Sequence, residues 1–241
     1  MTPYLQQVEI IKKLINQTID IFNRLNSFSY KDNTAVDSRV ELCNRMLNDI
    51  DSGVFKIAVV GVIKSGKSTL VNALAGKELV QRGAGVVTSI TTKIRKGKKN
   101  SATILFKSWD QVNLQLENAL RFFPDKKLIK DIPSPLDIRR KNDRDLLHQI
   151  YKMLIESFPA SAGHIKPETL MLRHALNGFE NCFQYVQADE TSVSFSGKEF
   201  KNHKLFTSNA DMAFYVKDVY LEVFGKTIAP NIEIADCQGA D

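Results

Sequence analysis

An α/β domain built on a mixed, mainly parallel sheet is the fold this sequence predicts, and three observations predict it. The apolar run "VFKIAVV" (Val54 to Val60) leads straight into "GVIKSGKST", a glycine- and hydroxyl-rich turn, and then into the helix-like "LVNALAG". A continuous apolar run of that length is what a strand buried on both faces looks like. Two further strand-like runs, "VYLEVFG" and "NIEIADCQG", come near the end of the chain, and long stretches of helical periodicity lie between.

The elements follow in order. From Pro3 to Leu25, the apolar residues Leu5, Val8, Ile11, Ile15, Ile19 and Phe22 recur every three or four positions and fall on one face of a long amphipathic helix. That face packs on its own domain or joins a helical bundle; the spacing does not choose between them. "NSFSYKDNTAVDS" reads as a loop, and Val40, Cys43, Leu47 and Ile50 mark a second helix that ends near "DSG". The helix after the glycine-rich turn is expected from about Lys67 to Leu74, with Gly76 as its C-terminal cap. "SITTKIR" and "SATILF" read as strands joined by the turn "KGKKN". Trp109 to Phe123 and Asn142 to Phe158 look helical, while residues 159–209 give mixed signals.

Composition bounds the function. At 241 residues and 43% hydrophobic, the chain can bury a sizeable core, and no apolar run reaches the roughly 18 residues of a membrane span. Three scattered cysteines (Cys43, Cys182 and Cys237) suggest reduced thiols in a cytoplasmic setting. The formal charge of +6 suits a nucleotide or an acidic lipid surface, and equally a face of solvated lysines. The basic run "KIRKGKK" reads chiefly as a solvated tip, and no nucleic acid is expected. The four histidines lack metal-ligand spacing.

The turn satisfies G-x-x-x-x-G-K-[ST] through Gly61, Gly66, Lys67 and Ser68. Its glycines let successive N–H groups curl toward phosphate oxygens, and the next helix adds its positive N-terminal dipole. Gly61, Lys64, Ser65, Gly66, Lys67, Ser68 and Thr69 are therefore the candidate phosphate-binding residues. Lys67 would reach the β- and γ-phosphates, and the Ser68 hydroxyl would ligate Mg²⁺. A P-loop nucleotide-binding fold follows.

Two more segments can complete such a site. Asp236, at the end of an apolar strand, can hold the metal through water, and Gly239 can offer its N–H to the γ-phosphate. Thr88, in "RGAGVVT", is the candidate for the second metal contact, with Thr91 and Thr92 as rivals. Lys67, Thr88 and Gly239 are the candidate catalytic residues; Ser68, Thr88 and Asp236 are the candidate metal ligands.

"GVIKSGKSTLVNALAG", "RGAGVVTSITTKIRKG" and "NIEIADCQGAD", in this order, resemble the first three nucleotide-binding motifs of the dynamin superfamily, and bacterial dynamin-like GTPases in particular. The run from Arg82 to Thr88 is the most specific of the three, and a bundle helix preceding the GTPase domain also suits that family. The resemblance implies GTP and Mg²⁺ as ligands and a low-affinity GTPase that cleaves the β-γ phosphoanhydride. It also implies a homodimer or higher self-assembly across the nucleotide site, and a cytoplasmic protein that acts peripherally at membranes. Residues 1–52 are then an N-terminal helical segment. Residues 53–241 are a P-loop GTPase domain, incomplete at its C-terminal end, with a helical insertion at about 109–209.

Three departures qualify the match. Lys64 stands where many dynamins carry a small polar residue, and it supplies positive charge or, more in keeping with its type, points to solvent. "DCQG" lacks the usual proline, and Ala240 leaves no glutamine to orient water. The interval from Thr88 to Asp236 is longer than the family leads one to expect, hence the insertion. The guanine-selecting motif does not occur, so the chain reads as the front part of a longer protein and guanine rests on resemblance alone. An ATP-using P-loop signalling or defence protein, and a nucleotide-binding scaffold without turnover, are the alternatives.

Overall fold

The computed structural model describes residues 3–28, 34–62, 65–80, 90–122, 134–157 and 166–237. The chain divides into two compact units, residues 1–55 and 56–241. Among the described residues, no helix is long and apolar enough to cross a membrane.

The first unit is a pair of helices, α1 (Pro3–Phe28) and α2 (Thr34–Ser52). Lys12 near the start of α1 meets Asp51 at 2.6 Å, and Asn26 near its end donates to Asp37 at 2.8 Å, so the helices run antiparallel. The expected stripe on α1 is only partly used. Ile15 is buried, whereas Leu5 and Ile11 stay exposed together with Ile10, Leu14, Ile21 and Leu25. One partner helix covers too narrow an arc to bury apolar residues spread over half a helix.

The second unit is centred on a six-stranded sheet in the order β1-β6-β2-β5-β3-β4. The strands are β1 (Phe55–Val59), β2 (Thr91–Lys96), β3 (Ser101–Phe106), β4 (Ser192–Ser196), β5 (Val216–Val223) and β6 (Ile232–Asp236). The sheet is mixed, as expected, but it is not mainly parallel across β6-β2-β5-β3-β4. β2 and β5 pair in parallel, whereas β2–β6, β3–β5 and β3–β4 pair antiparallel. Alternate residues of β3 (Ala102, Ile104 and Phe106) are fully buried against the helical layer.

Three sequence expectations change here. β1 forms where the apolar run stands, but it is an edge strand of the described sheet, and Phe55 and Ile57 are exposed rather than buried on both faces. β2 and β3 are both present, yet they do not pair with each other, because β5 lies between them. Their connection passes over the end of β5, and Gly97 permits it: a Cβ there would stand 2.6 Å from Glu222 Cβ. Finally, the segment expected as a helical insertion contributes β4 to the sheet's other edge.

The helical layer comprises α3 (Lys67–Ala75), α4 (Trp109–Arg121), α5 (Lys141–Ser157) and α6 (Pro167–Cys182), with short helices at Lys204–Ser208 and Ala210–Ala213. α4 starts with a capping box, Ser108 with Gln111, which satisfies two backbone N–H groups reciprocally. Trp109 packs among Phe179, Phe183 and Tyr215 and ties α4, α6 and β5 into one core. α6 lies within residues 159–209, where the residue pattern is mixed.

Candidate functional site

The end of β1, the start of α3 and the end of β6 meet at one point. The Cys237 N–H donates to Val59 O at 3.2 Å, which holds the last residues of β6 beside the start of the glycine-rich turn. The turn then enters α3 through Gly66, whose φ of 89° lies in the left-handed region that favours glycine. The backbone so bent brings Lys67 and Ser68 to the helix's first turn. The Lys67 ammonium donates to two carbonyls of its own turn, Gly61 O at 2.9 Å and Val62 O at 2.6 Å.

Ser68 Oγ donates to Asp236 Oδ2 at 2.9 Å across 168 positions of sequence. Asp236 is buried, and its other oxygen, Oδ1, has no hydrogen-bond partner among the described residues. Burial pushes this carboxyl above the usual aspartate range, while the Ser68 hydroxyl and the nearby Lys67 charge pull the other way. A buried carboxylate oxygen left without a donor is costly, and a hard cation is the kind of group that offsets the cost. One carboxylate and one hydroxyl beside the glycine-rich turn fit Mg²⁺, which takes few protein ligands and completes its shell with water and other oxygen ligands.

The structure thus gathers Gly61, Ser65, Gly66, Lys67, Ser68 and Thr69 on the β1–α3 turn and adds Asp236 to them. Lys64, Thr88 and Gly239 lie outside the described residues, as do Arg82 and Ala240. The rivals to Thr88 are in β2. Thr92 is buried and sits opposite Asp236 in the β2–β6 register, so the ladder fixes its backbone; Thr91 is paired with Asp218 of β5.

Sequence reading missed Asn72. It is buried one turn after Ser68 on α3 and binds the chain that leaves this helix. Its Oδ1 accepts from the N–H groups of Leu79 and Val80, both at 2.9 Å, and its Nδ2 donates to Val80 O at 2.7 Å. The available signal was a lone amide on the inward face of an apolar helix, four residues from Ser68.

The sequence profile of the dynamin family matches residues 57–160. An uncharacterized protein encoded in the xynA 3′ region of Caldicellulosiruptor sp. (strain Rt8B.4) is 30% identical over 100 residues, which is 42% of this chain and 23% of that protein. A bacterial dynamin-like protein of Nostoc punctiforme (strain ATCC 29133 / PCC 73102) is 37% identical over 70 residues, 28% of this chain and 10% of that one. Two solved chains of an oligomerised bacterial dynamin pair, described as sensing and tethering membranes at long range, overlay 97% of this chain with TM-scores of 0.42 and 0.40 at 17% and 18% identity. The chain spans about a quarter of those solved chains, and its matches cover less than a quarter of the two curated relatives. Residues 57–160, which carry the glycine-rich turn, are similar to the dynamin family.

Proposed function

We propose that this chain is the nucleotide-binding part of a dynamin-like GTPase that binds and hydrolyses Mg²⁺-GTP. The single observation that supports it best is the meeting of Ser68 with a buried, half-satisfied Asp236 at the start of α3. In this reading the turn's N–H groups hold the phosphates, and Lys67 exchanges its two carbonyl partners for β- and γ-phosphate oxygens. Ser68 and Asp236 hold Mg²⁺, which neutralises charge that develops on the phosphates during cleavage. Catalysis then rests on positioning and electrostatic stabilisation, with Thr88 and Gly239 assigned as the remaining contacts to metal and γ-phosphate.

The similarity to the dynamin family supports self-assembly and a peripheral membrane role, and both belong to the same proposal. Guanine is assigned through the family as well, and competition between GTP and ATP for the site tests it directly. The test of turnover is phosphate release by the parent beside Lys67→Ala. The variant is expected to lose at least about 100-fold in rate, the scale on which a preorganised charge contact acts. Equal rates in the two proteins would overturn the assignment.

A further inference from the structure

β4 is the last strand on its side of the sheet, and among the described residues it pairs with β3 alone. The antiparallel register runs from Ser101 opposite Ser196 to Leu105 opposite Ser192. Just beyond its two ends, the Phe106 N–H donates to Thr191 O at 2.8 Å and the Gly197 N–H to Asn100 O at 3.3 Å. In an antiparallel ladder, residues bonded to the neighbour alternate with residues whose N–H and C=O point the other way. Thr191, Val193, Phe195 and Gly197 therefore face β3 with their backbone groups, and those of Ser192, Ser194 and Ser196 point out from the edge. Among the described residues, no backbone hydrogen bond reaches β4 from that outer side.

Open edges are usually blunted by charge, proline or a bulge. β4 reads "SVSFS" and carries no charge and no proline, and its register with β3 is continuous. The strand is also close to self-complementary about Ser194. Its three serines are exposed, while Val193 and Phe195 are half-buried against the core. Phe195 stacks on Phe206 on that face, with ring centroids 6.0 Å apart, and Ser194 Oγ meets Thr103 Oγ1 at 2.9 Å on the other.

We propose that β4 pairs with β4 of a second copy of this chain, antiparallel about Ser194, so that the two sheets join into one. This alignment sets Ser194 against its own copy and Ser192 against Ser196. All three have outward backbone groups, so each pair exchanges N–H and C=O in both directions. The same alignment sets Val193 against Phe195 of the second copy at a non-hydrogen-bonded position, where side chains stand closest and an aromatic ring gains most from a β-branched neighbour. A slip by one residue sets outward groups against inward ones, and a slip by two leaves part of the strand unpaired. A strand that fits itself in one two-fold alignment favours its own copy over an unrelated chain. The inference rests on the self-assembly part of the function proposed above. It adds to that assembly a contact independent of nucleotide, at the sheet edge opposite β1 and the glycine-rich turn.

The test is sedimentation velocity of the chain without nucleotide, at concentrations up to about 0.2 mM, because one short strand makes a small and weak interface. The parent is expected to dimerise as concentration rises. Amide exchange at Ser192, Ser194 and Ser196 should slow along the same series, whereas exchange at Val193 and Phe195, already bonded to β3, should not. Ser194→Pro removes an outward N–H that β3 does not use, and it should weaken dimerisation about ten-fold or more. Should proline disturb β4 itself, Ser194→Lys and Ser194→Asp carry the test. Each alone should stay monomeric, because like charges meet on the two-fold axis, and an equimolar mixture should regain dimers. A monomeric parent overturns the proposal, as does association that these substitutions leave unchanged. Dimers that form only with Mg²⁺-GTP and ignore Ser194 sink this edge but leave self-assembly standing. A chain that stays monomeric in every condition, nucleotide included, counts against self-assembly as well.

Discussion

Ser68 and Asp236 share one hydrogen bond of 2.9 Å, and that contact leaves the aspartate's second oxygen buried without a donor among the described residues. The pair joins the first turn of α3 to the last residue of β6, so it closes the site and also holds an energetic debt inside it. Both aspects can be measured.

Asp236 carries a raised pKa because burial disfavours its charge. A folded-state carboxyl that holds its proton more tightly than the unfolded one stabilises the fold at low pH, and that contribution is lost as pH rises through the folded value. In metal-free protein, Asp236→Asn should therefore be the more stable form at pH 7, by about 2–4 °C in melting temperature, and should lose this advantage on acidification. Thermal melts of parent and variant at several pH values check it. A variant that melts lower than the parent at pH 7 would contradict the account of a strained carboxylate.

Asn72 satisfies three backbone groups of residues 79 and 80. Asn72→Ala strands them near the buried Leu79 and should cost about 2–3 kcal/mol. Amide exchange at Leu79 and Val80 should accelerate more than exchange in β3. Uniform acceleration across the second unit would show that Asn72 acts only through the general core.

Gly178 on α6 faces the Asp211 carbonyl so closely that a Cβ would stand 2.2 Å from it. Backbone cannot yield as a flexible side chain can, and Gly178→Ala should destabilise by about 2–4 kcal/mol in denaturant titration. A loss below about 0.5 kcal/mol would show that α6 and the helix Ala210–Ala213 are not in this register.

Cys182 is fully buried, and burial pushes its thiol up to about 12. Alkylation at pH 8 in native buffer should spare it, because the thiolate is the reactive form. Mass spectrometry should find Cys182 modified only after denaturation, while the partly exposed Cys43 and Cys237 react earlier. Early labelling of Cys182 would mean that the core around α6 opens readily.

Legibility followed range along the chain. The β1–turn–α3 unit was readable because its signal is local: an apolar run, two glycines, a lysine and a serine within fifteen residues or so. Asp236 was found by its place at a strand end. The interleaving of β5 between β2 and β3 was not readable, because nothing in "KGKKN" announces that its two strands flank a third from more than a hundred positions later. α6 hid because His174, Gly178 and Thr169 interrupt its apolar face, yet each is buried there: His174 meets Asp211 and Gly178 meets a backbone carbonyl. Asn72 was missed for the same reason. A lone polar residue reads as noise until its partners are in view.

The central claim is that Ser68 and Asp236 form a metal site serving a triphosphate held by the turn. A titration of fluorescent GTP into the parent and into Asp236→Ala, each with and without Mg²⁺, tests it most directly. The account predicts that Mg²⁺ tightens binding by the parent about ten-fold or more and that the variant shows no such gain. The same Mg²⁺ enhancement in both proteins would contradict it.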